Sequence, residues 1–391
     1  MRIGVLGGGQ LGRMLGLAGT SLGHAFTFLE PAEECPAAVT GAWIRAPFED
    51  AQALADLADR SDLVTYEFEN VPVAAVRTLT ARVPVHPSAV SLEVGQDRLR
   101  EKQLFTRLGI PTPRFVAAQG FAELEPAVTG LGLPAMVKTR SQGYDGRGQR
   151  LLRDARDVAP ALMALGTQPL LVEELIEFQR EISVIGVRGR NGELAFYPAI
   201  ENHHWDGILR LSLAPAPEMS DALKAKAEDY ARRVLEALGH VGVLALELFQ
   251  VGDELLANEL APRVHNSGHW TIEGAIASQF ENHLRAIVGQ PPGGTAAHGH
   301  CAMVNLIGEL PDLAPVGSLA GAHVHLYGKR ARPGRKLGHV TLMADDPATL
   351  AARLAELWPL LGRSAGPLPA SPLRAPEAPE ERGGVSRGAA G

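Results

Sequence analysis

The rhythm of residues 2–67 limits the fold more than any other feature of the sequence. A short apolar run at 2–6 passes through Gly7-Gly8-Gly9-Gln10-Leu11-Gly12 into a helical pattern over 10–22. A second apolar run at 25–30, a helix over 51–58 and a third run at 63–67 follow. Strands that alternate with helices pair in parallel, because parallel neighbours need a long crossover between them. The glycine turn reads G-x-G-x-x-G, and the next strand ends on Glu30, as in a dinucleotide fingerprint. Tight packing of a helix on a strand asks for the same glycines, so the turn leaves both readings open.

Further along, a helix over 98–108 stops at Gly109-Ile110-Pro111. Past Pro134, strands joined by glycine turns are predicted at 135–138, 149–153, 170–176, 181–187 and 195–200. A long amphipathic helix over 221–238 precedes a strand pair at 242–251 and 254–260. After Gln290-Pro-Pro-Gly-Gly come strands near 302–306, 323–327 and 339–343. These changes of texture divide the chain into segments 1–95, 96–295 and 296–362. Residues 363–391 turn to Pro, Ala, Gly and Arg, too little apolar surface to offset ordering entropy, and are expected to form a disordered tail.

A chain of 391 residues can bury sizeable cores without a disulfide or metal staple. Its 37 basic and 44 acidic residues leave a net charge of −7, a poor match for the dense basic surface of a nucleic-acid binder. Cys35 and Cys301 form no framework and no CxxC pair, which points to a reducing, cytoplasmic setting. No signal-peptide pattern opens the sequence, and no apolar run reaches the ~18 residues of a membrane span. Only six of the 37 basic residues are lysine. With arginine as the default cation, a lysine inside an apolar strand calls for a chemical reason.

Lys138 is such a lysine. It ends the run Pro134-Ala-Met-Val and opens a loop with Gly143, Gly146 and Gly148 before the strand at Gln149. A glycine loop between two strands can fold over a nucleotide and offer successive N–H groups to phosphate, with Lys138 as a point charge. A flexible hairpin with a snorkelling lysine is the alternative. Glu173, Glu174 and Glu181 suit an adenine amine and a ribose hydroxyl, or else the solvated face of an edge strand. The hairpin over 242–260 carries the sharpest inference. Pairing about Asp253 sets 251 opposite 255 and Glu247 opposite Glu259. Carboxylates so placed repel, so that one is protonated or both are neutralised by Mg²⁺, with Asn258 as a neutral oxygen ligand. A register slip would remove the pairing. His265 and His269 have a zinc-like spacing but sit in a loop without cysteine partners; Arg263 and His265 suit a small anion instead. Lys329, Arg332, Arg335 and Lys336, around Pro333-Gly334, read as a phosphate clamp or a solvated basic turn.

Together the lysine-headed loop, the acidic nucleotide contacts and the Glu…Asn-Glu pair resemble the ATP-grasp ligases. The runs GGGQLGRML, YEFENVP, KTRSQGYDGRGQ, ENHHWDGILRLSLAPAP, NELAPRVHNSGHWT and RPGRKLGHV resemble the 5-(carboxyamino)imidazole ribonucleotide synthases of de novo purine synthesis, in collinear order over about residues 1–345. The resemblance implies an ATP-grasp fold with an N-terminal Rossmann-like parallel-sheet domain and a small C-terminal β-rich domain. It implies ATP, Mg²⁺ and bicarbonate as reactants, carboxyphosphate as intermediate and 5-aminoimidazole ribonucleotide as acceptor.

By the same resemblance, Arg98 and Lys138 contact the ATP phosphates under a lid formed by Gly143, Tyr144, Asp145, Gly146, Arg147, Gly148 and Gln149. Glu173, Glu174, Leu175 and Ile176 line the adenine, Glu181 takes the ribose, and His204 lies near the nucleotide. Glu247, Asn258 and Glu259 hold the metal, and Arg263 and His265 hold bicarbonate or carboxyphosphate. Tyr144, Arg147, Lys329, Arg335, Lys336 and Glu69 grip the ribonucleotide, with the GGGQLG turn beside its phosphate. A homodimer and a separate mutase for the next step are also implied. The rivals are an ATP-grasp ligase that activates another carboxylate, such as formate, and an NAD-dependent oxidoreductase. A non-enzymatic nucleotide-binding module is disfavoured by the paired carboxylates.

Overall fold

The computed structural model describes residues 1–143, 148–166 and 168–367. The opening rhythm produces a four-stranded parallel sheet in the order Ala42–Ile44, Ala25–Leu29, Arg2–Leu6, Leu63–Tyr66. Its central runs are buried throughout, as parallel strands covered on both faces must be. Helix Gln10–Ser21 starts directly from the glycine turn, and helix Ala51–Asp59 is capped by the Asp50 carboxylate, which accepts from Ala53 N at 2.8 Å.

Helix Arg98–Arg107 then leads into two antiparallel sheets; Asp97 caps it by accepting from Leu99 N. The smaller sheet has the order Phe115–Gln119, Pro169–Glu174, Ala135–Thr139, Gln149–Leu152. It has its own core, including Leu124, Val128, Val137, Leu152 and Val172. The larger sheet has nine strands. It runs from Glu254–Ala261 through Gly242–Val251, Arg180–Arg188, Ile200–Trp205, Ile208–Ala214, His300–Ile307 and Lys336–Ala344 to Ala322–Leu326, with Leu194–Phe196 also on Arg180–Arg188. The single strand expected at 195–200 is therefore two strands that share one neighbour. Pro198, which has no N–H to donate, falls in the gap between them.

The last segment adds no sheet of its own. His300–Ile307 pairs antiparallel with Ile208–Ala214 and extends the larger sheet. One core unites all three segments, with Val5 and Phe26 from the first, Val243 and Trp270 from the middle and Met303 and Tyr327 from the last. The boundary expected at 363 is too early. Ser364 and Ala365 are buried, Ala365 in one core with Leu350, Leu354 and Trp358 of helix Pro347–Leu361, and Trp358 Nε1 donates to Gly366 O at 3.0 Å. The rest of the expected tail, 368–391, lies outside the described residues.

Candidate active site

The carboxylate pair is built by two offsets that cancel. The hairpin turns through only Gly252 and Asp253, so Val251 faces Glu254 and Gln250 faces Leu255, one residue away from the expected register. A bulge between Glu247 and Leu248 then leaves Asn258 as the extra residue and restores Glu247 opposite Glu259. The bulge also interrupts the strict alternation of side chains, so both Asn258 and Glu259 line the cleft. Burial first, and then the Glu259 charge, pushes the Glu247 carboxyl up to about 8. The Asn258 Oδ1 atom is buried with no hydrogen-bond partner. A carboxylate pair in conflict and an unsatisfied amide oxygen suit a hard divalent cation, which binds oxygen. Among the described residues no group of three carboxylates, imidazoles or thiols is placed to hold a metal. Mg²⁺ needs no such cage, since phosphates and water complete its shell.

That pair lies in a cleft of about 790 Å³ where all three segments meet. Of the predicted residues, Glu69, Arg98, Lys138, Gly143, Gln149, Glu173, Glu174, Leu175, Ile176, Glu181, His204, Arg263, His265, Lys329, Arg335 and Lys336 also line it. Tyr144, Asp145, Gly146 and Arg147 lie outside the described residues. Gly148 closes the base of the loop, with its carbonyl accepting from Thr139 N at 2.8 Å. Its φ is +72°, and a Cβ there would lie 2.6 Å from Thr139 Oγ1, so only glycine fits.

Lys138 and Glu173 are diagonal neighbours on one face of the smaller sheet, since Lys138 pairs with Leu171 and Met136 with Glu173. Lys138 Nζ donates to Glu173 Oε2 at 2.7 Å. Behind them Lys102, 1% exposed, places its Nζ 3.6 Å from Glu173 Oε1 and donates to Ala257 O at 3.2 Å. Burial pushes the Glu173 carboxyl up, but Lys138 and Lys102 outweigh it and hold the group at about 2. The Glu173 carboxylate is thus engaged with two lysines at the wall of the cleft. Glu174, also in the lining, pairs with Arg114 at 3.0 Å. The apolar stretch of the cleft comes from Met136, Leu175, Ile176 and the stacked rings of Phe178 and Phe249, 4.6 Å apart.

Elsewhere the predicted residues hold one another. Arg98 donates to Thr139 O at 3.0 Å and Gly143 O at 3.4 Å, and lies 3.9 Å from Glu259. His204 Nδ1 is 2.8 Å from Glu181, whose carboxylate raises the imidazole pKa although burial opposes it. Arg263 pairs with Glu69 at 2.5 Å. His265 Nε2 is 3.2 Å from Glu247 and its Nδ1 is 2.9 Å from Ser267 Oγ. Burial, then Arg263, drives its pKa well below the usual imidazole range. Its partner His269 is fully buried beside Phe280 and His339, consistent with a core histidine rather than a zinc ligand.

At the far end, Lys329 contacts Gln10 Oε1, and Arg335 pairs with Glu34 at 3.1 Å. Burial lowers the Lys329 ammonium to about 8; Glu67 opposes the shift, and Arg335 and Lys336 add to it. The glycine turn brings Gly9, Gln10 and Leu11 into the cleft lining. Gly8 N donates to Glu30 Oε2 and Gly9 N to Glu67 Oε1, each at 2.8 Å. Carboxylates, not phosphate, take these two donors, because strands Ala25–Leu29 and Leu63–Tyr66 end on acids beside the turn. Lys102 and Glu101 escaped the sequence reading because they sit in a polar helix rather than an apolar strand. Glu101 is also buried, accepts from Leu260 N at 2.5 Å and is pushed up to about 8, chiefly by burial and then by Glu259. The scarcity of lysine was the one signal for Lys102.

A small antiparallel sheet and a large one, facing each other across lysines and a paired-carboxylate hairpin, define an ATP-grasp enzyme. The ATP-grasp domain model matches residues 103–280. The ribonucleotide synthetase preATP-grasp domain matches 1–96, and the phosphoribosylaminoimidazole carboxylase C-terminal domain matches 301–353. N5-carboxyaminoimidazole ribonucleotide synthase of Pseudomonas aeruginosa is 53% identical over 361 residues, 92% of this chain and 99% of that protein. The crystal structure of the Thermus thermophilus synthetase is 56% identical, with a TM-score of 0.89 over 94% of this chain and 99% of that one. An Aspergillus clavatus synthase crystallised with ADP and 5-aminoimidazole ribonucleotide is 32% identical, with a TM-score of 0.84 over 93% and 98% of the two chains. The chain belongs to the N5-carboxyaminoimidazole ribonucleotide synthase family, ATP-dependent enzymes of purine biosynthesis.

Proposed function

We propose that this cleft carboxylates 5-aminoimidazole ribonucleotide to N5-carboxyaminoimidazole ribonucleotide at the expense of ATP and bicarbonate. The observation that carries the reading is the opposed pair Glu247 and Glu259, with bulged Asn258, between a lysine cluster at one end of the cleft and a second at the other. Bicarbonate oxygen attacks the γ-phosphorus, ADP leaves, and carboxyphosphate results. The exocyclic amine then attacks the carboxyl carbon, the C–O bond to phosphate breaks, and the amine proton leaves with phosphate.

In this reading Arg98 and Lys138 neutralise the ATP phosphates, with Gly143 and Gln149 beside them. Met136, Ile176 and Phe249 enclose the adenine, while Glu181, oriented by His204, accepts from the ribose. Glu247, Asn258 and Glu259 hold Mg²⁺, which supplies charge neutralisation at the transferring phosphoryl group. His265, kept neutral by its surroundings, and Arg263 position bicarbonate and then carboxyphosphate. Lys329, Arg335 and Lys336 grip the ribonucleotide phosphate, and Glu69 steadies Arg263. Because carboxyphosphate hydrolyses readily, positioning and exclusion of water matter more here than a strong base. The product is a carbamate for a separate mutase, and we expect the enzyme to work as a cytoplasmic homodimer.

ADP release assayed with each reactant omitted in turn tests the reading. Turnover should collapse without bicarbonate or 5-aminoimidazole ribonucleotide. Turnover supported by formate in place of bicarbonate would overturn it, and so would NADH binding with no ATP turnover.

A further inference from the structure

Helix Arg98–Arg107 places Arg98 and Lys102 four residues apart, hence on one face. Arg98 reaches Thr139 O and Glu259, whereas Lys102 reaches Glu173 and Ala257 O. One helix face therefore touches both the smaller sheet and the bulged strand beneath it. Lys102 has 1% exposure and Glu173 has 2%, so neither charge is screened by water. Lys138 lies on the cleft side of Glu173.

The charge count is the core of the argument. Lys138 bonded to Glu173 alone is a neutral pair and offers phosphate little attraction. Lys102 on the opposite side of the same carboxylate brings the trio to a net positive charge, presented at the cleft by Lys138. A buried lysine is costly unless it is paired, and this one has a carboxylate and a carbonyl to meet it. Its helix position, away from the cleft lining, excludes a direct contact with nucleotide.

We propose that Lys102 is a positioning residue for ATP binding: it neutralises and fixes Glu173, so that Lys138 faces the nucleotide phosphates as an uncompensated cation. The inference rests on the reading that Lys138 contacts ATP phosphate. Lys102→Met should raise KM for ATP at least tenfold while kcat and KM for 5-aminoimidazole ribonucleotide stay within threefold. The double variant Lys102→Met/Glu173→Gln should recover KM for ATP to within threefold of the parent, because Lys138 is again uncompensated. A purely structural role would show no such rescue.

An unchanged KM for ATP in Lys102→Met, or a double variant no better than the single one, would overturn the proposal. If Lys102→Met fails to fold, the double variant is compared with Glu173→Gln. Agreement within threefold supports the proposal, and a further tenfold loss refutes it. Lys138→Ala separates the two levels. Unchanged ATP affinity in that variant overturns the phosphate reading and the proposal together. A raised KM beside an unmoved Lys102→Met overturns the role of Lys102 alone.

Discussion

Replacing Glu259 by Gln separates the stability cost of the carboxylate pair from its use. Cross-strand partners have Cβ atoms about 5 Å apart, and two charges at that distance repel by about 3 kcal/mol at an effective dielectric of 20. The Glu259 side chain is 45% exposed, and solvent screening reduces this to about 1 kcal/mol. Glu247 titrates at about 8, above the usual carboxylate value, so the repulsion is absent while it keeps its proton and develops as pH rises through 8.

Metal-free Glu259→Gln should therefore match the parent in stability at pH 6 and exceed it by up to about 1 kcal/mol at pH 9. Urea midpoints with EDTA present measure this. Mg²⁺-dependent ADP release should fall about 100-fold or more in the same variant, the equivalent of about 2.7 kcal/mol of transition-state stabilisation. A variant that is less stable at pH 9, or that keeps its turnover, would refute the reasoning.

Three more outcomes follow from the geometry. KM for 5-aminoimidazole ribonucleotide should rise between pH 7 and 9 as Lys329 loses its proton near 8, and Lys329→Arg should flatten that rise; a parent profile flat to pH 9 counts against the clamp. Gly148→Ala should cost about 1–2 kcal/mol in thermal or denaturant unfolding and raise KM for ATP, since alanine meets both a positive φ and Thr139 Oγ1. His265→Ala should lower kcat more than tenfold with KM for ATP within threefold; a loss confined to KM for ATP would place His265 at the nucleotide instead.

Much of this was legible in the sequence, because period and punctuation are local. The strand at Arg2–Leu6 and the helix at Asp221–Ala237 fall within a residue of where apolar periodicity puts them. The pairing of Glu247 with Glu259 was legible for a different reason. A two-residue turn and a one-residue bulge each shift register by one, in opposite senses, so a simple count arrives at the right partners through the wrong path. What stayed hidden depends on partners distant in sequence. Nothing local says that Lys102 meets Glu173, or that Glu30 and Glu67 fold back to take the glycine-turn amides. The burial of Ser364 and Ala365 is likewise a tertiary fact, whereas the break at Pro198 was a local signal passed over.

The separate core of the smaller sheet sets the two ends of the cleft apart. The parallel sheet, the nine-stranded sheet and the C-terminal strands share apolar side chains such as Phe26, Trp270 and Tyr327, so they open only by disrupting that shared interior. The four strands around Val137 and Val172 have an interior of their own, so they can shift as a unit without disrupting it. Lys329, Arg335 and Lys336 lie on the body with the shared interior, whereas Lys138 and Glu173 belong to the smaller sheet and Glu247 and Glu259 to the larger one. A shift of the smaller sheet would therefore alter the Lys138 end of the cleft and leave the Lys329 end as it is. A molecule wedged beneath the smaller sheet would sit at a boundary between two cores, and one filling the Lys329 end would meet walls backed by a single interior.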